Sequence, residues 1–200
     1  MNWYEKLNQY FPVEEMKSKE HMEILLQEKS DVYYKDEGKH HVLMYAEFPS
    51  FIFIDYVYVS KESRGQGVGH QLMEKLKRKQ KPIILEVEPY DYKDTDSTKR
   101  LRFYQREGFK HALSIGYTRK SLATNENNTL EILYWSPTGE NEEQIYQQMK
   151  RMYEDIHTYK DEEIYGKSYQ PVEEVLTYGQ ERETSDIFKS LEEYEEKKKK

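Results

Sequence analysis

Three glycines at alternate positions, Gly65, Gly67 and Gly69, stand in the segment 57–78, VYVSKESRGQGVGHQLMEKLKR, between an apolar β-branched run and a stretch spaced like an amphipathic helix. A strand, a glycine-rich turn and a helix together make an anion-binding device. The unpaired N–H groups of the first helical turn converge on negative charge, and glycine lets a ligand approach the backbone closely. Spacing narrows the ligand. A dinucleotide fingerprint needs G-x-G-x-x-G, and here the third glycine comes one residue early. A nucleoside-triphosphate loop needs Gly-Lys-Ser/Thr, whereas Gly69 is followed by His70 and Gln71.

The device needs a strand ahead of it and a helix behind it, and the flanks supply both. FIFIDYVYV, residues 51–59, is the most strand-like run in the chain, and its near-continuous apolarity predicts burial on both faces. After the glycines, Val68, Leu72, Met73 and Leu76 recur at helical spacing until Lys81 and Pro82 stop them. PIILEVEP, residues 82–89, reads as a second buried strand. A charged loop, YDYKDTD at 90–96, leads to a helix over 97–106, with Asp96 or Ser97 as N-cap and Gly108 just past its end. Upstream, Met16, Met22, Ile24, Leu25 and Leu26 predict a helix over 16–29, and two strands turn around Asp36, Glu37 and Gly38. HALSIGYTRK and TLEILYWSP read as closing strands. Strands interleaved with helices predict an α/β layered domain over 1–138.

Residues 139–200 differ in kind, being charged throughout. Ile145, Met149, Met152 and Ile156 nevertheless form one stripe, which predicts a helix over 142–157 packed on the domain or on a second copy in a homodimer. Ile187, Phe188, Leu191 and Tyr194 predict a terminal helix that frays into four lysines.

Composition excludes several classes. With 200 residues the chain is long enough for a real core. It has no cysteine, so disulfides, thiolate metal sites and cysteine nucleophiles are ruled out. The formal net charge of −7 weighs against a nucleic-acid partner held by phosphate contacts and suits a cationic substrate. The first fifteen residues mix charges with aromatics and lack the apolar core of a signal peptide. The run at 51–59 is far short of the ~20 residues a membrane-spanning helix needs. The expectation is a soluble cytoplasmic protein. Nineteen tyrosines are read mainly as packing residues. His40 and His41 are expected to face solvent, and His21 to lie on a helix face.

RGQGVG resembles the acyl-CoA pyrophosphate loop of the GNAT N-acetyltransferases, Gln/Arg-x-x-Gly-x-Gly/Ala, with Arg64, Gly67 and Gly69 in the fixed places. The triplet Val57, Tyr58, Val59 stands five residues ahead of Arg64, where that family's fourth strand offers backbone to the pantetheine arm. RFYQREGF, residues 102–109, is similar to the family's F-Y-x-x-x-G-F signature, with Tyr104 in the tyrosine place. The resemblance covers roughly residues 14–136. It implies a GNAT fold, a mixed central sheet flanked by helices, here with a helical C-terminal extension. It also implies transfer of the acetyl group of acetyl-CoA to a primary amine by direct attack. The alternative on the same fold is a catalytically weak acyl-CoA-binding sensor or protein-interaction module.

What the resemblance implies for single residues follows the motifs. Pyrophosphate would be held by the backbone N–H groups of Gly65, Gln66, Gly67, Val68, Gly69 and His70 with the helix dipole, so no metal is called for. A backbone N–H of the 57–59 triplet would polarise the thioester carbonyl. Tyr104 would protonate the leaving sulfur. The helix before the tyrosine usually opens N-x-x-A, and this chain has Ser97 and Arg100 in those places, Ser97 with a shorter reach to the pantetheine arm. The place of the carboxylate that some relatives use as general base holds Phe53. Asp55, on the same strand face, is the nearest substitute; Glu86, Glu88 or a water relay are the others. Packing is the competing reading for Tyr104, and pairing with a lysine or histidine is the competing reading for Asp55.

Overall fold

The computed structural model describes residues 1–89, 94–179 and 182–200; the part of the expected charged loop at 90–93 lies outside the described residues. Helix α1 (Trp3–Tyr10) opens the chain behind a capping box, in which the Asn2 side chain accepts the Glu5 N–H and the Glu5 carboxylate accepts the Asn2 N–H. A short 3₁₀ turn (Val13–Glu15) leads to α2 (Lys19–Glu28), β1 (Tyr33–Glu37), β2 (His41–Glu47), β3 (Ile52–Val59), α3 (Val68–Lys77) and β4 (Ile83–Val87). Then come α4 (Thr95–Arg106), the short β5 (Lys110–His111), β6 (Ile115–Lys120) and β7 (Asn127–Trp135). Helix α5 (Glu142–Met152) runs directly into a π-helical turn (Tyr153–His157). Two short helices, α6 (Asp161–Tyr165) and α7 (Val172–Val175), precede β8 (Leu176–Tyr178) and α8 (Ile187–Lys198).

The strands form one mixed sheet in the order β1-β2-β3-β4-β7-β6-β8, with β5 also on β7. Among the described residues only β3 and β4 pair in parallel; the other neighbours are antiparallel. One face buries Leu7 of α1, Met22 and Leu25 of α2, and Met149 of α5 against Phe53 and Ile132. The other buries Met73 of α3, Leu101 of α4 and Phe188 of α8 against Ile54 and Leu133. The sheet is thus covered by helices on both sides, the α/β layering that interleaved strands and helices predict.

Residues 139–200 are built into both layers. Ile145, Met149, Met152 and Ile156 are fully buried against the sheet, and β8 extends that sheet through β6. His111 accepts the Ile187 N–H at the start of α8, and the Asp186 side chain accepts that of Phe188. The three-residue β8 and the eight-residue α1 carry too little periodicity to be read from sequence. Helix α4 starts earlier than the sequence reading places it: its N-cap is Asp94, whose side chain accepts the Asp96 N–H, while Ser97 is buried in the first turn. His40 and His41 are half-buried rather than solvent-facing, and His41 Nε2 lies 3.0 Å from Asp36. His21 is fully buried, 3.0 Å from the Tyr165 hydroxyl, and burial followed by the nearby Lys17 charge lowers its pKa to about 3. No helix among the described residues is long and apolar enough to cross a membrane.

Candidate active site

Parallel pairing between β3 and β4 covers only Ile52 with Ile83, Phe53 with Ile84 and Ile54 with Leu85. Beyond that point β3 stays paired with β2 and β4 with β7, so the two strands part. The cause is local. Met44 pairs with Tyr56 but Tyr45 with Ile54, which leaves Asp55 as the extra residue of a β-bulge, and a bulge bends its strand. A cavity of about 940 Å³ opens at the gap, a size that suits a small-molecule or cofactor ligand. It is lined from both sides of the sheet, by Ile54, Val57 and Leu85 on one and by Tyr56, Glu86 and Leu130 on the other. This is why Val57, Tyr58 and Val59 are only half-buried, although the apolar run predicts burial on both faces.

At the mouth of the gap the glycine turn enters α3. Gly65 and Gly67 have φ of +79° and +82°, the left-handed region that only glycine adopts without cost. A Cβ at either would meet nothing within 4 Å, so the requirement is conformational. Gly67 caps α3, and the first helical bond runs from the Gln71 N–H to the Gly67 carbonyl. The N–H groups of Val68, Gly69 and His70 therefore have no partner within the helix. Gly69 is needed for a different reason: a Cβ there would lie 3.1 Å from the Phe103 ring, where α3 packs on α4. Arg64 donates from Nε to the Val59 carbonyl at 3.3 Å, and its guanidinium stands 5.2 Å from the Tyr10 ring centroid. Gln66 turns outward, its side chain donating to the Glu62 carbonyl. His70 Nδ1 lies 2.7 Å from Glu107 Oε1, and Lys77 Nζ lies 2.9 Å from Glu107 Oε2. Glu74 completes a cluster with His70 and Glu107 of ligand atoms within 4.8 Å, whose negative charge Lys77 already serves.

Tyr104 lines the same cavity from α4, 6% exposed, with Phe103 and Phe109 edge-on to its ring at 5.3 and 5.4 Å. Its hydroxyl meets no hydrogen-bond partner among the described residues. Burial, and then the neighbouring Tyr10, raise its pKa well above the ordinary phenol value; Arg100 only partly offsets them. The phenol therefore keeps its proton throughout the working pH range. Ser97 lies two turns earlier on the same helix, and Ser97, Arg100 and Tyr104 all line the cavity. The Arg100 guanidinium stands 5.8 Å from the Tyr10 ring, so Tyr10 lies between the cations of the glycine turn and of α4.

The carboxylates differ in how they are held. Asp55 Oδ1 pairs with Lys17 Nζ at 2.7 Å and its Oδ2 accepts the Tyr33 hydroxyl at 2.6 Å, so both oxygens are engaged. Glu86 accepts from Tyr117 at 2.6 Å and from His157 Nε2 at 2.7 Å, with Arg119 at 3.4 Å. Burial alone would raise the Glu86 pKa, but His157, the Arg119 charge and the hydrogen bonds from His157 and Tyr117 outweigh it and hold the carboxyl below the usual carboxylate range; burial lowers the pKa of His157 itself, so the imidazole acts there chiefly as a hydrogen-bond donor. Phe53 is buried, with His157 edge-on to its ring. Among the described residues no cation or hydroxyl is bonded to the Glu15 carboxyl, and its buried Oε1 has no hydrogen-bond partner. Burial first, then the hydrogen bond and like charge of Glu88, push it up to about 9, against the pull of Arg100 and Arg119. Sequence reasoning missed Tyr10, Glu15, Lys17, Arg119 and His157. None sits in a motif, and only the fold brings them to the cavity or its floor.

A glycine turn at a helix N-terminus, two parted parallel strands and a buried phenol facing the gap define a site of the acyltransferase class. Residues 28–111 match the acetyltransferase (GNAT) domain family. The protein named "Putative acetyltransferase YjbC" of Bacillus subtilis (strain 168) is 72% identical over 162 residues, which span 81% of this chain and 84% of that one. A solved structure from Bacteroides thetaiotaomicron, assigned to the GNAT family, is alike in fold at TM-score 0.61 and 20% identity, covering 78% of this chain and 90% of that chain. The chain belongs to the GNAT acetyltransferase family.

Proposed function

We propose that the protein transfers the acetyl group of acetyl-CoA to a primary amine, by direct attack of the amine on the thioester. The observation that carries this reading is one continuous cavity lined by the α3 glycine turn, the parted edge of β3 and the protonated Tyr104. Acetyl-CoA, when bound, supplies an acyl group already activated for transfer. The N–H groups of residues 65–70, with the α3 dipole, hold its pyrophosphate. The backbone of 57–59 is free of β4 and takes the pantetheine arm, and one of its N–H groups stabilises the charge that develops on the carbonyl oxygen. Ser97 adds a contact from α4, and Tyr104 donates its proton to the departing sulfur. Asp55, with both oxygens occupied, maintains the bulge that parts the strands.

The test is thiol release from acetyl-CoA with polyamines, amino acids, aminoglycosides and peptide N-termini as acceptors, read together with the mass of the product. Release with an amine, and a product heavier by one acetyl group, is the expected result. Tight coenzyme A binding without turnover of any amine replaces this reading with that of an acyl-CoA sensor.

A further inference from the structure

We propose that Arg119 binds the carboxylate of the acceptor, so that the amine acetylated is that of a free amino acid; this rests on the N-acetyltransferase reading above. Ile115, Tyr117 and Arg119 alternate as the buried positions of β6, so Arg119 lies on the Tyr117 face of the sheet, where Tyr56 and Glu86 also lie. Helices α3 and α4, which carry the glycine turn and Tyr104, pack on the other face. The cavity joins the two faces through the gap between β3 and β4. Its Arg119 end is therefore across the sheet from the groups that hold the acyl donor, and is open to the acceptor.

A guanidinium presents five N–H donors in a planar fork. Among the described residues Arg119 makes one hydrogen bond, from Nη2 to Glu86 at 3.4 Å, and its buried Nε has no partner. That contact is long, since charge-assisted bonds of this kind fall near ~2.7–2.9 Å. Glu86 directs its shorter bonds elsewhere, to Tyr117 at 2.6 Å and His157 at 2.7 Å. Arg119 is 6% exposed and lines the cavity, so a ligand reaches it from there. A buried cation with open donors is unfavourable until an anion meets it, and a carboxylate, with two oxygens in one plane, matches the fork.

The neighbours set the sign of the rest of the ligand. Tyr56 donates to the Glu15 main-chain carbonyl at 2.8 Å, which brings that turn to the Arg119 face. Glu15 Oε1 is buried with no hydrogen-bond partner among the described residues, and Glu15 and Glu88 both line the cavity. A phosphate dianion would be repelled by Glu86 and Glu88, and a polyamine would leave the guanidinium unmet. A zwitterion answers both: its carboxylate takes the open edge of Arg119, and its ammonium group faces Glu88 and the open oxygen of Glu15. In the transfer the ammonium releases one proton to water. The nitrogen then bonds the acetyl carbon as the C–S bond breaks, and a second N–H proton is balanced by the one that Tyr104 gives to sulfur. The product keeps its carboxylate but has lost the positive charge beside Glu88, which favours release.

The test compares the common L-amino acids with their carboxamides, which keep the amine and lack the carboxylate. Steady-state acetylation is read beside calorimetric binding to the coenzyme A-bound protein, with spermidine and O-phosphoethanolamine as further probes. The parent should acetylate at least one amino acid with kcat/KM about 10–10²-fold above its amide, the worth of a hydrogen bond to a charged group, and should bind the acid more tightly by a similar factor. Arg119→Lys, which keeps the charge and loses the fork, should cut that ratio severalfold, and Arg119→Gln should bring it to about unity, the coenzyme A-induced melting shift being retained in both. Acid and amide falling alike would mark a structural role and overturn the assignment. Should neither variant fold, the parental acid-to-amide ratios in turnover and binding decide. Equal use of acids and amides, preference for spermidine or O-phosphoethanolamine over every amino acid, or a folded Arg119→Gln protein with the parental ratio overturns the carboxylate anchor alone. A parent that acetylates no amine in the wider acceptor panel overturns the N-acetyltransferase reading and the anchor with it.

Discussion

Lys17 Nζ lies 2.7 Å from Asp55 Oδ1, and neither side chain reaches solvent, with 2% and 4% exposure. Burial lowers the Lys17 pKa and Asp55 works against that shift, so each charge is tolerated because the other is present. Asp55 is also the extra residue of the β3 bulge, so the pair sits where the strand bends away from β4. Removing one partner strands the other charge in the core. Lys17→Met should therefore cost about 3–5 kcal/mol in urea unfolding, and adding Asp55→Asn should recover part of the loss.

The glycine turn is testable without an acceptor. Gly67→Asp places bulk and negative charge beside the N–H groups of Val68, Gly69 and His70, at a φ of +82°. The variant should still fold, at a cost of about 1–2 kcal/mol for the left-handed conformation. Its melting temperature should no longer rise with coenzyme A. A folded Gly67→Asp protein of parental affinity would remove the pyrophosphate assignment.

Tyr104 can be examined by deleting one atom. Tyr104→Phe leaves the contacts with Phe103 and Phe109 in place and opens no large cavity. If the hydroxyl protonates sulfur, kcat and kcat/KM should fall together by about 10²–10⁴ while coenzyme A binding is retained. A parental kcat, with chemistry shown to limit the rate, would reduce Tyr104 to a packing residue.

The C-terminal residues should prove inseparable from the fold. Met149 and Ile145 are fully buried against the sheet, so Met149→Ala and Ile145→Ala should each cost about 2–5 kcal/mol. A chain ending at residue 138 loses α5, β8 and α8 together and should fail to give a cooperative thermal transition. A truncated chain with the parental melting temperature would show that these contacts contribute nothing.

Glu15 also makes stability depend on pH. Its native carboxyl holds a proton up to about pH 9, whereas the unfolded chain releases it near 4.5, so between those values the folded state binds more protons than the unfolded one. Stability from this group is therefore present at low pH and lost as pH rises through that window. Urea unfolding from pH 5 to 9 should show a falling component that Glu15→Gln removes.

Much of the candidate site's geometry was legible in the sequence because that geometry is local. A left-handed turn into a helix depends on residues next to one another, and RGQGVG states both where glycine is needed and where the helix begins. The same holds for FYQREGF, where Tyr104 sits at a fixed distance from the helix end at Gly108, and for the stripe from Ile145 to Ile156, whose period alone predicts a buried helix face.

The tertiary structure decided the ionisation and pairing of the charged groups. Lys17 meets Asp55 across a separation of 38 residues, and His157 meets Glu86 across 71. Asp55 reads in sequence as a lone charge in an apolar strand, a candidate base, and the fold fills both of its oxygens. Glu15 belongs to the mixed first fifteen residues, to which the sequence assigns no chemistry, and the fold buries its Oε1 at the cavity, where burial and the nearby Glu88 raise its pKa. A carboxyl's proton affinity is set by the water it loses and the charges brought within a few ångströms. Neither exists until distant segments pack, so the sequence by itself determined the glycine turn and the family, and the assembled sheet decided which carboxylates are paired, as Asp55 and Glu86 are, and which oxygen meets no donor among the described residues, as in Glu15.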